Sequence, residues 1–334
     1  MIRFGIIGTN PITEKFIKAA SLIEDFSLTA VYSRTEETAR KFAKRYGVTM
    51  IFTDVSEMAR SKVIDAVYIA SPNSFHSEQA IICMNYGKHV LCEKPIASNT
   101  AELQKMITAA KINKVLLMEA LKTTFLPNFQ SIQNNLHKIG KVRRYIAIFC
   151  KYSSRYDAYK EGTILNAFNP IFSNGSLMDI GVYCIYPMVA LFGKPLSIKA
   201  NGILLESGVD GEGSILLKYK ESEGIVVHSK IANSYIPSEI QGENGSILID
   251  QIDTPTNVEI RYKDGRIEDI NQSQINNSMY YEVNEFINLI KRRQFESSIN
   301  SFKNSLITLE IIDEARKQIG LTYPADQAEP TYIK

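Results

Sequence analysis

The sequence predicts an α/β fold in two domains. A doubly wound parallel sheet occupies residues 1–121. A domain with a large, mostly antiparallel, open-faced sheet and flanking helices occupies residues 122–334. Three observations predict this. Residues 1–120 alternate short, near-continuous apolar runs with helical patterns, as a parallel sheet covered on both faces requires. From Leu196 to Asn271, strands follow one another between turn residues. A chain of 334 residues is also longer than one core usually serves.

The first domain opens on Met1–Thr13, MIRFGIIGTNPIT. Ile2, Phe4, Ile6 and Ile7 read as a strand, Gly8 as a turn, and Ile12–Ile23 as a helix. This is the start of a Rossmann unit, in which the N–H groups at a helix N-terminus face a pyrophosphate. Gly8, Thr9, Asn10, Pro11 and Ile12 are therefore the candidate cradle. The pattern G-x-G-x-x-G/A puts Asn10 at its second glycine and Thr13 at its third, so the motif alone is a weak signal. Asn10 tolerates positive φ, and Pro11 suits the first helical position. The Thr13 methyl and hydroxyl predict some widening between helix and strand.

The remaining elements follow from periodicity. Leu28–Tyr32, Met50–Phe52, Ala66–Ala70, His89–Cys92 and Val115–Met118 read as strands. Glu36–Tyr46, Val55–Arg60, Ser74–Tyr86 and Thr100–Lys111 read as the helices between them. In the second domain Gln130–Ile139 reads as helical, Val142–Cys150 as a long strand and Ser176–Leu191 as an apolar helix. Six strands come next: Ile198–Leu205, Ser214–Tyr219, Ile225–Ile231, Ser238–Gln241, Ser246–Ile249 and Val258–Tyr262. Glu223-Gly224, Glu243-Asn244-Gly245 and Lys263-Asp264-Gly265 supply hairpin turns. Helices over Met279–Arg292 and Phe302–Ile319 close the chain. Val226, His228 and Lys230 share one face of their strand, and Val227, Ser229 and Ile231 the other. The alternation leaves open which face is buried.

Composition narrows the function. An apolar share of 45% and a charged share of 22% fit a globular protein. A net charge of +2 without a dense basic block gives no case for nucleic acid or an anionic membrane. Lys291-Arg292-Arg293, the densest basic run, suits a helix C-terminus. Cys83, Cys92, Cys150 and Cys184 are scattered without metal spacing, which points to a reducing, cytoplasmic setting. The four histidines form no H-x-x-x-H pair. The chain enters a strand at once, with no signal peptide, and no apolar run is read as transmembrane.

Three further segments reach the carboxyl edge of the first sheet. The second strand ends in Val31-Tyr32-Ser33-Arg34-Thr35. An NAD-preferring domain places an acidic residue there, about 20 residues past the glycines. Glu24 and Asp25 have that spacing but precede the strand. Ser33 with Arg34 would instead welcome a 2′-phosphate, which reads as NADP with NAD still possible. The other reading is a surface arginine. Ala70-Ser71-Pro72-Asn73-Ser74-Phe75-His76 sits at a strand-to-helix passage. Ser71, Pro72 and Asn73 are candidate cofactor contacts, with Asn73 reaching ribose or carboxamide. His76 is a candidate too, although an ordinary first-turn residue is the simpler reading. Finally Val90-Leu91-Cys92-Glu93-Lys94-Pro95 delivers a lysine to the same edge. On its own Lys94 reads as a solvated cation.

With Glu93-Lys94-Pro95 on the page, the sequence resembles the Gfo/Idh/MocA oxidoreductases, whose E-K-P lysine contacts substrate and nicotinamide. Gly175-Ser176-Leu177-Met178-Asp179-Ile180-Gly181-Val182-Tyr183 resembles that family's G-x-L-x-D-x-G-x-H segment. Tyr183 stands where most members have histidine. This resembles the branch with dimeric dihydrodiol dehydrogenase, glucose–fructose oxidoreductase and NADP-linked xylose dehydrogenases. Asp179 and Tyr183 are four apart and share a helix face. Periodicity alone would make Tyr183 a core aromatic. Glu119-Ala120, Phe125 and Pro127 are softer matches, with Thr124 where the family often has arginine. Glu239-Ile240-Gln241-Gly242 and Gly245-Ser246-Ile247 match a late strand pair.

The resemblance implies hydride transfer between NADP(H) and a secondary alcohol or carbonyl of a sugar, polyol or diol. Lys94, Asp179 and Tyr183 are then the catalytic set. Glu93, Lys94 and Glu119 also join the cofactor side. Tyr183 carries the proton, Lys94 is the ammonium that favours its phenolate, and Asp179 orients the substrate hydroxyl or Lys94. Arg155, Tyr156 and Tyr159, on a loop, line the substrate pocket or are surface or dimer residues. The family's open sheet face implies a homodimer. Two competing readings remain. One is a catalytically idle NAD(P)-sensing regulator on the same fold. The other is a glycosidase using bound NAD transiently.

Overall fold

The computed structural model describes residues 1–327; the last seven residues of the expected second domain, 328–334, lie outside them. The chain forms two compact units. One comprises Met1–Leu121 and Ile275–Lys303, the other Lys122–Gln274 and Asn304–Lys334.

The first unit is a six-stranded parallel sheet. Its strands are β1 (Ile2–Ile7), β2 (Phe26–Tyr32), β3 (Met50–Phe52), β4 (Ala66–Ile69), β5 (His89–Glu93) and β6 (Leu117–Ala120). They lie in the order β3-β2-β1-β4-β5-β6, the dinucleotide-binding arrangement. The helices between them are α1 (Pro11–Ala20), α2 (Glu36–Arg45), α3 (Val55–Arg60), α4 (His76–Asn85) and α5 (Thr100–Asn113). β4 and β6 are buried at every position, because helices cover both faces. Phe16 of α1 stacks on Tyr68 of β4 at 3.8 Å between ring centroids.

Several boundaries move for local reasons. α1 ends at Ala20, short of Ile23, where the Ser21 hydroxyl turns back to the Ile17 carbonyl at 2.8 Å. β6 starts at Leu117, two residues later than the apolar run suggests. Lys114 takes a left-handed cap at φ 53°, and the Leu116 amide is spent on His89. Asn73–Phe75 is a single 3-10 turn ahead of α4.

The second unit holds an eight-stranded sheet. Its strands are β7 (Val142–Cys150), β8 (Ser197–Leu204), β9 (Asp210–Lys218), β10 (Glu223–Ser229), β11 (Ser238–Gly242), β12 (Gly245–Ile249), β13 (Val258–Tyr262) and β14 (Ile267–Asp269). Their order is β14-β13-β12-β11-β7-β10-β9-β8, antiparallel except for the central β7–β10 pair. The unit's helices are α6 (Pro127–Asn135), α7 (Tyr156–Lys160) and α8 (Val182–Phe192). α9 (Met279–Lys291) belongs to the first unit, where it packs on α1 and sets Phe286 against Phe4. α10 (Phe302–Ile319) follows it.

Four expectations for this unit are corrected. The β9–β10 turn spans Tyr219–Ser222, closed by the Tyr219 amide on Ser222, so Glu223-Gly224 lies within β10. β14 is an additional strand. Tyr156 and Tyr159 sit on the short helix α7 rather than on a loop, with both rings packed on Phe168. Pro170–Phe192 is long and apolar enough to cross a membrane by length and composition, contrary to the reading that no run is. Two-thirds of that window is buried inside the protein, as in a core helix.

The sheet faces are now distinguishable. Tyr145, Ala147, Ile215, Leu217, Val226, His228, Ile240 and Ile247 are buried, and α8 packs on β7 and β10. Lys230, just past β10, is buried as well. Ile146, Ile148, Ile225 and Val227 on the other face are only half-buried, and Leu216 is exposed.

Candidate active site

In the first unit the site lies outside the carboxyl ends of β1 and β4, where strand order reverses. Gly8 leaves β1 at φ +110°, and a Cβ there would stand 2.5 Å from the Ala70 carbonyl oxygen. Only glycine permits that close pass. Asn10 behaves differently from the expectation of positive φ. It sits at φ −95° as the N-cap of α1, with its side-chain oxygen accepting from the Thr13 amide at 3.2 Å. Its Nδ2 donates to Ala70 at 2.7 Å, so the asparagine ties the two strand ends together. Pro11 occupies the first helical turn. Thr13 is buried, and its hydroxyl donates to the Gly8 carbonyl at 3.0 Å. Thr9 and Ile12 flank the turn, both half-buried.

At the end of β2 the Ser33 amide is spent on Phe52 at 3.1 Å. Arg34 is exposed, and among the described residues no hydrogen bond or ion pair holds its guanidinium. Asp25 lies at the opposite end of β2, ion-paired with Lys291.

Beyond β4 the Ser71 hydroxyl donates to Gln79 at 2.6 Å. Pro72 and Asn73 are half-buried at the entry to the 3-10 turn. His76 is fully buried between two main-chain carbonyls, Pro95 at 3.0 Å from Nδ1 and Ser71 at 2.9 Å from Nε2. Burial pushes its pKa down to about 4. The neutral ring therefore donates to one carbonyl at a time. The structure makes His76 a brace between the Ser71 and Pro95 loops.

Lys94 is half-buried at the end of β5, followed by a cis bond to Pro95. The two glutamates beside it face inward. Glu93 accepts from the Tyr68 hydroxyl at 2.5 Å, and Glu119 of β6 accepts from the Ile96 amide at 3.1 Å. Both fix the backbone that carries Lys94. Asn300 was silent in the sequence, yet it donates to the Glu119 and Leu121 carbonyls at 2.9 and 3.1 Å.

In the second unit, Asp179 and Tyr183 do not lie on one regular helix. Leu177–Gly181 is a π-helical turn, and the α-helix starts only at Val182. Such turns bond i to i+5, which shifts the side chains around the helix axis, and they often mark functional sites. The segment is shaped by what lies beneath it. Gly175 takes φ +141°, and a Cβ there would meet the Asp210 carboxylate at 2.0 Å. Asp210 uses that room to accept the Leu177 amide at 2.7 Å. His228 bonds the Ser176 hydroxyl at 2.9 Å and also passes close under Gly181.

Burial holds the Asp210 carboxyl up, at about 6, and pushes His228 down to about 3. The 3.8 Å approach between them is therefore not an ion pair at neutral pH. Asp179 is 39% exposed at its side chain, and its Oδ2 lies 2.7 Å from the ammonium of Lys230. Tyr183 is half-buried, edge-on to Phe149. Within this unit the ammonium facing the Tyr183 ring is that of Lys122, 5.8 Å from the centroid and held by Thr254 at 2.7 Å. Lys122 and Lys230 escaped the sequence reading because nothing in their local pattern marks them. Arg155 is exposed, and the Tyr159 hydroxyl accepts from the Ser207 amide.

Comparison with known proteins agrees with this geometry. The description "Oxidoreductase family, NAD-binding Rossmann fold" (GFO_IDH_MocA) matches residues 2–121, and the GFO/IDH/MocA C-terminal domain matches residues 135–248. A scyllo-inositol 2-dehydrogenase (NADP(+)) of Bacillus subtilis is 60% identical over 98% of this chain and 100% of its own. A trans-1,2-dihydrobenzene-1,2-diol dehydrogenase of Xenopus tropicalis is 30% identical over 96% of this chain and 99% of its own. Among solved structures, a 3-ketoreductase from Actinomadura kijaniata in complex with NADP and TDP-benzene superposes with a TM-score of 0.83. It is 22% identical over 95% of this chain and 98% of its own, a likeness of fold. The chain belongs to the Gfo/Idh/MocA oxidoreductase family.

Proposed function

We propose that this protein is an NADP(H)-dependent dehydrogenase of a ring secondary alcohol, with an inositol-type cyclic polyol as its substrate. The observation that carries the reading is the 60% identity, over nearly the whole chain, to a scyllo-inositol 2-dehydrogenase (NADP(+)). The residues present fit such a cofactor. The Gly8 cradle, the capped N-terminus of α1 and the exposed Arg34 beside Ser33 suit a phosphate-rich dinucleotide. Thr9, Pro11 and Ile12 complete the turn, and Ser71, Pro72 and Asn73 flank it at the end of β4. NADP(H), when bound, supplies the hydride acceptor or donor.

The chain's own residues orient the alcohol and manage one proton. We assign that proton to the Tyr183 hydroxyl. An unperturbed tyrosine titrates near ~10, too high for an efficient base at neutral pH. Within the second unit the ring lies beside the ammonium of Lys122, which is itself ion-paired with Asp253 at 3.5 Å. Asp179 accepts a substrate hydroxyl, and Lys94 contributes a second ammonium to the substrate. Glu93, Glu119 and His76 hold the Lys94 loop on the cofactor side.

Two coarser features complete the proposal. The half-buried Ile146, Ile148, Ile225 and Val227, with the exposed Leu216, form an apolar row suited to a second copy of this chain. A sedimentation mass of one chain would exclude that dimer. Four free cysteines, three of them buried, fit a reducing cytoplasm.

The test of activity is initial-rate reduction of NADP⁺ and NAD⁺ by scyllo-inositol, myo-inositol, xylose, glucose and acyclic polyols. Turnover of a cyclitol with NADP⁺ in preference to NAD⁺ is expected. No reduction with any member, or faster reduction of NAD⁺, overturns the proposal.

A further inference from the structure

We propose that Lys230 is a positioning residue of this site, its sealed ammonium holding the Asp179 carboxylate aimed at the substrate hydroxyl. The inference rests on the dehydrogenase reading above and deepens it.

A lysine only 4% exposed is uncommon and needs a partner to offset its lost hydration. Lys230 has one at 2.7 Å in Asp179. The pair is asymmetric. The lysine side chain is 5% exposed, whereas that of Asp179 is 39% exposed. A surface salt bridge leaves both ends in water and contributes little. Here one end is walled in and the other opens outward, so the ammonium acts as a fixed support beneath an accessible carboxylate.

The support is anchored at both ends. The Lys230 amide donates to Gly211 at 2.9 Å, and its carbonyl accepts from Ser153 at 2.8 Å. Its ammonium lies 5.3 Å from the Phe168 ring centroid and 3.5 Å from the Ala167 carbonyl. Among the charged groups nearby, Asp210 on β9 feels the same ammonium. His228 on β10 is neutral and adds no competing cation. Asp179 stands on the π-helical turn Leu177–Gly181, 51 residues before Lys230. Lys230, remote in sequence, is a partner that holds the Asp179 carboxylate at 2.7 Å.

The experiment is a double-mutant cycle with Lys230→Met and Asp179→Asn. Methionine has similar length and suits the apolar wall of Phe168. Asp179, being partly exposed, is not left as a buried charge. In Lys230→Met, kcat for the cyclitol should fall about ten- to hundredfold, the scale of a misplaced reacting group. KM should move only about two- or threefold, with NADPH affinity and melting temperature near the parent's. Adding Lys230→Met to Asp179→Asn should produce no further loss, because the lysine acts through the aspartate. Lys230→Arg should recover part of the rate.

A kcat within twofold of the parent overturns the inference. So does an undiminished loss in the Asp179→Asn background. If the parent enzyme turns over no polyol, the dehydrogenase reading fails instead. Crystal structures of parent and Lys230→Met then decide the inference, and an unmoved Asp179 carboxylate overturns it.

Discussion

Gly8→Ala is the perturbation whose magnitude the structure fixes best. At φ +110° an L-residue is strained, on the order of 1–3 kcal/mol. The new Cβ would also stand 2.5 Å from the Ala70 carbonyl oxygen and 2.8 Å from its carbon. These are backbone atoms of a buried residue, so the neighbour yields only by moving the end of β4. Overpacking of that kind costs about 1–3 kcal/mol. The shift also stretches the 2.7 Å bond from Asn10 to the same carbonyl. Together the penalty is about 2–6 kcal/mol, borne by the turn proposed to cradle the pyrophosphate. If half of it appears in binding, NADPH affinity falls about 5- to 150-fold, at roughly 1.4 kcal/mol per decade. Thermal melting with and without NADPH, followed by a fluorescence titration, reads both effects. An unchanged melting temperature together with a dissociation constant within twofold of the parent's would refute the reasoning.

Other perturbations address single roles. Arg34→Ala removes a charge-assisted bond of about 1.5–3 kcal/mol, so NADP⁺ should bind about 10- to 150-fold more weakly while NAD⁺ changes little. Equal losses for both would remove Arg34 from the 2′-phosphate site. Tyr183→Phe should lower kcat by about 10²- to 10⁴-fold, the range of a lost acid–base group, with NADPH binding intact. Undiminished turnover would remove the tyrosine from proton transfer. Asp210→Asn tests burial. Burial holds the native carboxyl up at about 6, above the ordinary carboxylate range, so its charged form opposes folding at neutral pH. The stability it contributes is present below its unfolded value and is lost as pH rises through 6, amounting to about 2–3 kcal/mol. Asparagine keeps an acceptor for the Leu177 amide and removes the charge. The variant should therefore be the more stable at pH 7.5, with the difference closing near pH 4. A difference independent of pH, read by denaturant melts, would contradict this.

Much of the fold was legible because periodicity reports burial. Met50–Phe52, Val55–Arg60, Val142–Cys150, Val258–Tyr262 and Phe302–Ile319 have the bounds that their apolar patterns suggest. Misreadings fell where tertiary contacts override local preference. Asp210-Gly211-Glu212-Gly213 contains poor strand formers, yet β9 starts there, because β8 and β10 supply ladder partners on both sides. Asn10 was assigned by analogy to a glycine and works instead as a cap. The return of α9 to the first unit is a long-range event that no window of sequence reports.

The site shows the same division. Asp179 and Tyr183 were visible as a pair, but the π-helical turn depends on Asp210 and His228, which are remote in sequence. Lys230 reads as an alternating strand position until its distance to Asp179, 51 residues earlier, is known.

The central claim is transfer of hydride from a ring carbon to NADP⁺, and isotope transfer tests it most directly. Scyllo-inositol deuterated at its ring carbons would be incubated with enzyme and NADP⁺, and the reduced dinucleotide analysed by mass spectrometry. The account predicts one deuterium in each NADPH formed. Reduced dinucleotide without deuterium, or no reduction at all, would contradict it.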